Sequence, residues 1–210
     1  IGYKMYLDFI KPLKRNDQIL VESKLTEEKE RCSKAIKLAE EGIKVALISS
    51  GESGFYGMAG LLLELLQKIT KGYRPYFEVH PGISSVQLAA AVSGAPLMND
   101  FCSISLSDKL TPWPSIEKKI RGALEGDFVI ALFNPQSIQR NWQLKSAIDL
   151  CLEFREIDTP VLIARQVGRE NQSKKFSTLN TIPFKEIDML SIIIIGNSQT
   201  TLKDEIFLTP

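Results

Sequence analysis

Histidine is almost missing from this sequence: His80 is the only one in 210 residues. A histidine cluster and an H-E-x-x-H metalloprotease helix are therefore excluded. Cysteine is scarce too. Cys32, Cys102 and Cys151 lie far apart and form no C-x-x-C pair, which speaks against a disulfide framework and a zinc site, and for a reducing compartment. No metal site is expected. Neither sign of charge is in excess: 26 Lys and Arg face 25 Asp and Glu, a formal net charge of +1, so nothing here forms the basic footprint of a nucleic-acid binder. Long apolar runs are also lacking. The longest, such as "GLLLELL" and "SIIIIG", are too short to span a bilayer. With no secretory signal pattern, the expected location is cytoplasmic, with neither a membrane nor a nucleic acid as partner.

What remains is ordinary globular material, 44% hydrophobic and 24% charged, in which strand-like and helix-like segments alternate. "VALIS" (45–49) and "YFEV" (76–79) read as buried strands. Between them "FYGMAGLLLELLQKIT" reads as a helix with Leu62, Leu65, Leu66 and Ile69 on one face. An earlier helix runs from about Glu27 to Glu40, with Thr26 as its N-cap and Gly42 at its end. "VQLAAAVSGA" is a helix of small residues, and "GAPLMNDF" (94–101) reads as a connector between domains. Beyond it come strand "FCSISLS", helix "PSIEKKIRGALEG" with Pro114 near its start and Gly126 past its end, strand "DFVIALFN", helix "NWQLKSAIDLCLEF", and strands "PVLIAR", "KFSTL" and "SIIIIG". Repeated βα units imply an α/β protein, parallel where crossover helices join neighbouring strands. The closely spaced last strands imply a mixed sheet in the second half. Two α/β domains are expected, 1–96 and 97–210.

The stretch "SSGESGFYGMAG" (49–60) carries the first chemical signal. Gly51, Gly54, Gly57 and Gly60 recur at every third position, between a predicted strand and a predicted helix, where α/β proteins bind ligands. The spacing is neither G-x-G-x-x-G nor a P-loop, and Glu52 would repel a pyrophosphate held by backbone N–H groups. An acid there suits ribose hydroxyls, an ammonium group or a sulfonium, and S-adenosylmethionine bears all three. The alternative is a helix N-terminus whose dipole an acid complements.

The same stretch resembles S-S-G-D-P-G-x-Y-G-M-A-G of the precorrin-3B C17-methyltransferases, tetrapyrrole methylases of cobalamin biosynthesis. "GYKMYLDFI", "PGISSVQLAAAVSGAPLMNDFCSISLSDKLTPW", "FVIALFNPQS", "VGRE" and "DMLSIIIIGNSQT" are similar to further stretches of that family, so the resemblance runs along the whole chain. Three departures stand out. Glu52 and Ser53 replace the family's Asp-Pro, Leu25 stands where methionine is usual, and the family's first strand and glycine–proline loop would precede Ile1. The resemblance implies an S-adenosyl-L-methionine-dependent methyltransferase acting on C17 of precorrin-3B or cobalt-factor III, with contraction of the macrocycle, any cobalt arriving in the substrate. It also implies a cofactor cleft between two α/β domains and a homodimer. Rival readings are methylation of another precorrin carbon, a non-catalytic binding protein of the same fold and, more remotely, a Rossmann dehydrogenase.

Carried over by position, cofactor contacts fall on Gly51, Glu52, Phe55, Ser84, Ser85, Phe133 and Gly168. Phe55 and Phe133 could equally be core residues, and Ser84 and Ser85 could cap the helix near Val86. Methyl transfer from a sulfonium needs near-attack geometry rather than a triad, so catalytic candidates stay open: Tyr56, Ser107, Asp108 and Thr111. Their bland readings are a structural tyrosine and loop capping ahead of the Pro114 helix. Lys109, Arg140, Arg165 and Arg169 are candidates to pair the substrate's carboxylates, or are simply solvated. His80 reads as structural, with acid–base work as its alternative.

Overall fold

The computed structural model describes residues 1–138 and 140–210; Gln139, in the loop "NPQSIQR", lies outside them. The chain divides into two compact units, Ile1–Ser84 and Ser85–Pro210.

The first unit contains β1 (Gly2–Tyr3), α1 (Lys4–Ile10), β2 (Glu22–Ser23), α2 (Glu28–Glu40) and α3 (Met58–Gln67). β1 and β2 pair in parallel. α2 and α3 pack together, burying Cys32, Ala35 and Ile36 from one and Met58, Ala59 and Leu66 from the other. Gly42 ends α2 as expected: at φ +82° it lets its own N–H reach the Ala39 carbonyl, and that of Ile43 reach Leu38. Arg31, 4% exposed, ties α2 to its surroundings through the Lys24 carbonyl at 2.8 Å and Met58 Sδ at 3.6 Å.

The second unit carries α4 (Ser85–Ser93), β3 (Gly94–Ala95), β4 (Phe101–Ser105), α5 (Trp113–Glu125), β5 (Val129–Phe133), α6 (Gln143–Leu152), β6 (Pro160–Arg165), β7 (Ser173–Thr178), β8 (Ser191–Ile195), β9 (Thr201–Lys203) and β10 (Ile206–Leu208). Five strands form the main sheet in the order β4-β5-β8-β6-β7. β4 and β5 are parallel, joined by crossover helix α5; every other pairing in the sheet is antiparallel. The mixed sheet therefore follows the expectation drawn from strand spacing. β8 is buried throughout, as is β5 as far as Leu132, and burial of such side chains is worth about 1.5–3 kcal/mol each. α5 turns Ile116, Ile120, Ala123 and Leu124 onto this core, and α6 adds Leu144, Ala147, Ile148 and Cys151. β3, β10 and β9 make a separate three-stranded sheet.

Several local expectations need correction. "VALIS" makes one parallel bridge, Ile48 to Gly2, rather than a ladder. Ile1 donates to the Ala46 carbonyl at 2.7 Å and accepts from the Ile48 N–H at 2.8 Å, after which the chain coils into α1 at Lys4. An apolar run with no continuous neighbour makes no strand. "YFEV" enters no ladder among the described residues and is exposed along its length. Thr26 is not the N-cap of α2: it sits at φ +75°, the helix starts from Glu27, and the Glu27 and Glu28 carboxylates instead take the N–H groups of Lys24 and Thr26. α3 begins only at Met58, leaving Phe55 and Tyr56 in the preceding turn. "GAPLMNDF" is no plain connector, since Gly94 and Ala95 pair in parallel with Phe207 and Leu208 inside the second unit.

Candidate functional site

In the first unit the candidate site is built from two turns held in backbone contact. Gly51 adopts φ +68°, a conformation that costs other residues about 1–2 kcal/mol. Its carbonyl lies so close to Gly82 that a Cβ there would stand 2.1 Å from the oxygen. Ser53 Oγ donates to the His80 carbonyl at 3.2 Å, so "HPG" and "GESG" are joined twice. Ser84 follows directly; it is 4% exposed, and its Cα would lie 3.8 Å from a Cβ on Gly51. Gly51, Glu52 and Ser84 are thus brought together.

Glu52 is half-buried. A Cβ on Gly54 would lie 3.2 Å from its Oε2, so the carboxylate folds back over the turn, and among the described residues it has no hydrogen-bond or ion-pair partner. Phe55 N–H donates to the Glu52 carbonyl at 3.3 Å, and Ala59 N–H to that of Ser53 at 3.0 Å. Phe55 and Tyr56 lie ring to ring, centroids 5.1 Å apart, with Tyr56 at φ +56° and half-exposed. His80 is exposed, 3.7 Å from Glu78.

The second unit holds the other candidates, at the carboxyl ends of parallel strands β4 and β5. Leu106 N–H donates to the carbonyl of Phe133, which is half-buried, at 2.9 Å. Asn134, at φ +50°, donates from Nδ2 to Ser105 Oγ at 3.0 Å. Ser107 takes its place through its own N–H to Ser105 Oγ at 3.3 Å. Asp108 accepts a 2.9 Å hydrogen bond from Gln143 Nε2, and Thr111 is half-buried nearby in the same loop. Trp113 and Trp142 meet edge to face at 4.9 Å.

The four basic candidates fall in different settings. Arg140 is 7% exposed and donates to the Leu106 carbonyl at 3.0 Å and to Met189 Sδ at 3.3 Å. Burial pulls its pKa down, against the opposing charge of Asp108. Arg165 grips Asp188 Oδ2 from Nε at 3.0 Å and Nη2 at 2.8 Å. Burial pushes Asp188 up, but bonds from Arg165, the Leu190 N–H and Ser191 hold it below its ordinary value. Lys109 is exposed and Arg169 half-exposed. Gly168, at φ +77°, donates its N–H to Gln172 Oε1 at 3.0 Å, and a Cβ there would come within 2.8 Å of Leu88. Ser85 opens α4.

Sequence reasoning passed over Gly82, Asn134, Gln143 and Asp188. "HPG" marked a turn but not the backbone it touches, and a glutamine at the start of an apolar helix gives little signal by itself. Among the described residues no group of three or more His, Cys, Asp and Glu could hold a metal ion, and no helix is long and apolar enough to cross a membrane. The cysteines are free thiols whose pKa values burial raises, to about 11 for Cys32 and Cys102 and about 12 for Cys151.

A family profile described as Tetrapyrrole (Corrin/Porphyrin) Methylases matches residues 2–183. The chain is 44% identical over 212 residues to the probable cobalt-factor III C(17)-methyltransferase of Salmonella typhimurium, a match covering 100% of this chain and 86% of that protein. It is also 44% identical over 214 residues to the cobalt-factor III methyltransferase of Priestia megaterium, spanning 100% of this chain but only 39% of that longer protein. Among solved structures, the methyltransferase CobJ matches with a TM-score of 0.94 at 33% identity, covering 100% of this chain and 87% of that one.

Proposed function

We propose that this chain, which belongs to the tetrapyrrole (corrin/porphyrin) methylase family, transfers a methyl group from S-adenosyl-L-methionine to C17 of cobalt-factor III, with ring contraction, in cobalamin biosynthesis. The observation that carries the reading is the 44% identity along the entire chain to a relative bearing that name. Cobalt-factor III is preferred to precorrin-3B because both relatives at that identity are named for it. The cobalt enters as part of the substrate.

The glycine turn fits the cofactor. A side chain at Gly51 or Gly82 would enter the space where the two turns meet, and Glu52 offers a carboxylate not used by the described part of the fold. S-adenosyl-L-methionine supplies a methyl group on a sulfonium, already a good leaving group. The chain's task is to bind, orient and exclude water. Glu52 would accept from ribose hydroxyls or an ammonium group, and Gly51 would let a ligand approach the backbone. Phe55, Ser84, Ser85, Phe133 and Gly168 complete the proposed contacts. Lys109 and Arg169 would meet the substrate's carboxylates. Arg140 and Arg165 are held by internal partners, and we assign them to shaping the loops around the substrate. A cytoplasmic homodimer completes the reading; sedimentation over a range of concentrations tests the dimer.

The decisive assay incubates the protein with S-adenosyl-L-methionine and cobalt-factor III, then locates the new methyl group by NMR. Methylation at C17 is expected. Methylation at another carbon assigns a different step, and binding of S-adenosylhomocysteine without any turnover sinks the enzymatic reading.

A further inference from the structure

Gln143 has no obvious reason to be an amide. It opens α6, is 2% exposed, and is followed on its helix by the buried apolar residues Leu144, Ala147 and Ile148. Its Nε2 donates to Asp108 Oδ2 at 2.9 Å. Its Oε1 is buried without a hydrogen-bond partner among the described residues. An unpaired buried acceptor weakens a fold, whereas an apolar side chain of the same shape carries no such cost. The single directed bond of this side chain therefore goes to one carboxylate.

That carboxylate sits in a loop whose two ends are fixed. Leu106 is bound to the Phe133 carbonyl and to Arg140, Ser105 to Asn134, and Trp113 packs on Trp142, the neighbour of Gln143. Asp108 itself is half-buried. Gln143 holds one of its oxygens, and the other, Oδ1, has no partner among the described residues. The buried charge of Arg140 acts on it without an ion pair forming. A carboxylate placed so would repel the acetate and propionate groups of a tetrapyrrole and attract its hydrogen-bond donors.

We infer that Gln143 is a positioning residue, fixing the Asp108 carboxylate to accept a hydrogen bond from an N–H or hydroxyl group of the substrate. The inference rests on the methyltransferase reading above. Gln143 acts only through Asp108. It orients the acceptor before substrate arrives, so that no ordering is needed at the moment of reaction.

The test is a double-mutant cycle on kcat/KM for methyl transfer to cobalt-factor III, with wild type, Gln143→Leu, Asp108→Asn and the double variant. Each single change should lower kcat/KM by about tenfold or more, and the double variant should be no worse than Asp108→Asn alone. Affinity for S-adenosylhomocysteine should stay within about twofold throughout, and Gln143→Leu should melt no lower than wild type. Should Gln143→Leu fail to fold, Gln143→Met, close in shape, takes its place. Undiminished kcat/KM in the Gln143 variant overturns the inference, as do two losses that multiply in the double variant. A wild type that binds S-adenosylhomocysteine yet methylates no corrinoid overturns the functional reading, and the inference with it.

Discussion

Replacing Gly82 with alanine probes the candidate site without touching any group proposed to contact a ligand through its side chain. The added methyl would stand 2.1 Å from the Gly51 carbonyl oxygen, 3.0 Å from its carbon and 3.4 Å from Glu52 Cα. All three neighbours are backbone, so no side chain can swing aside, and the two turns must part by more than an ångström. Overpacking of this kind costs about 1–3 kcal/mol of stability. The larger effect should fall on binding, because the displaced atoms belong to Gly51 and Glu52 themselves. Losing one charge-assisted hydrogen bond from Glu52 costs on the order of 1.5–3 kcal/mol, about a tenfold to hundredfold loss of affinity. The measurement is calorimetric titration of S-adenosylhomocysteine into wild type and Gly82→Ala, with thermal melts in parallel. A variant that stays folded and binds within about threefold of wild type would refute the reasoning: the apposition of the turns would then not shape the cofactor site.

Glu52→Asp should bind S-adenosylhomocysteine like wild type, and Glu52→Lys about tenfold more weakly or worse; equal binding by all three removes Glu52 from the site. Gly60→Ala should raise stability by about 0.5–1 kcal/mol, since Gly60 lies inside α3 with nothing among the described residues within 4 Å of an added Cβ; a lower melting temperature contradicts this. The Arg155 side chain is buried and bonds the Phe128 and Gly196 carbonyls, so Arg155→Ala should cost about 2–4 kcal/mol in denaturant unfolding. Asp188 has its pKa lowered in the fold below the ordinary 3.8, so its pairing with Arg165 stabilises at neutral pH and fades as pH falls through 3.8 towards the folded value. Asp188→Asn should therefore melt below wild type at pH 7, and the gap should close in acid; a gap independent of pH would rule the ion pair out as its cause.

The second unit was readable because its elements advertise themselves. "SIIIIG" and "FVIALF" are uninterrupted apolar runs, and both are strands buried for all or most of their length. "PSIEKKIRGALEG" combines a first-turn proline, an apolar stripe and a terminal glycine, and forms α5. The first unit misled. "VALIS" and "YFEV" have the composition of strands, but a strand is a relation between two segments and composition reports only one of them. The hairpin of β9 and β10 went unread for a different reason. Its two turn residues, Asp204 and Glu205, both sit at positive φ, a conformation usually announced by Asn-Gly rather than Asp-Glu.

The four glycines at every third position look like one motif, and the structure separates them into unlike cases. Gly51 meets a backbone conformation other residues resist, and Gly57 leaves no room, since a Cβ there would stand 2.4 Å from the Ser53 carbonyl oxygen. Gly54 gives the Glu52 carboxylate space to fold back, and Gly60 meets nothing. The same region bears on the two readings of the acid. A carboxylate that complements a helix dipole belongs in the first turn, yet α3 starts at Met58, has no acid in its first turn, and has its early Ala59 N–H taken by Ser53. Glu52 stands six residues ahead of the helix, with no hydrogen-bond or ion-pair partner among the described residues. A half-buried carboxylate without an internal partner loses hydration for no return within the fold. On the function proposed above, that free acceptor is left for a ligand that brings its own hydrogen-bond donors.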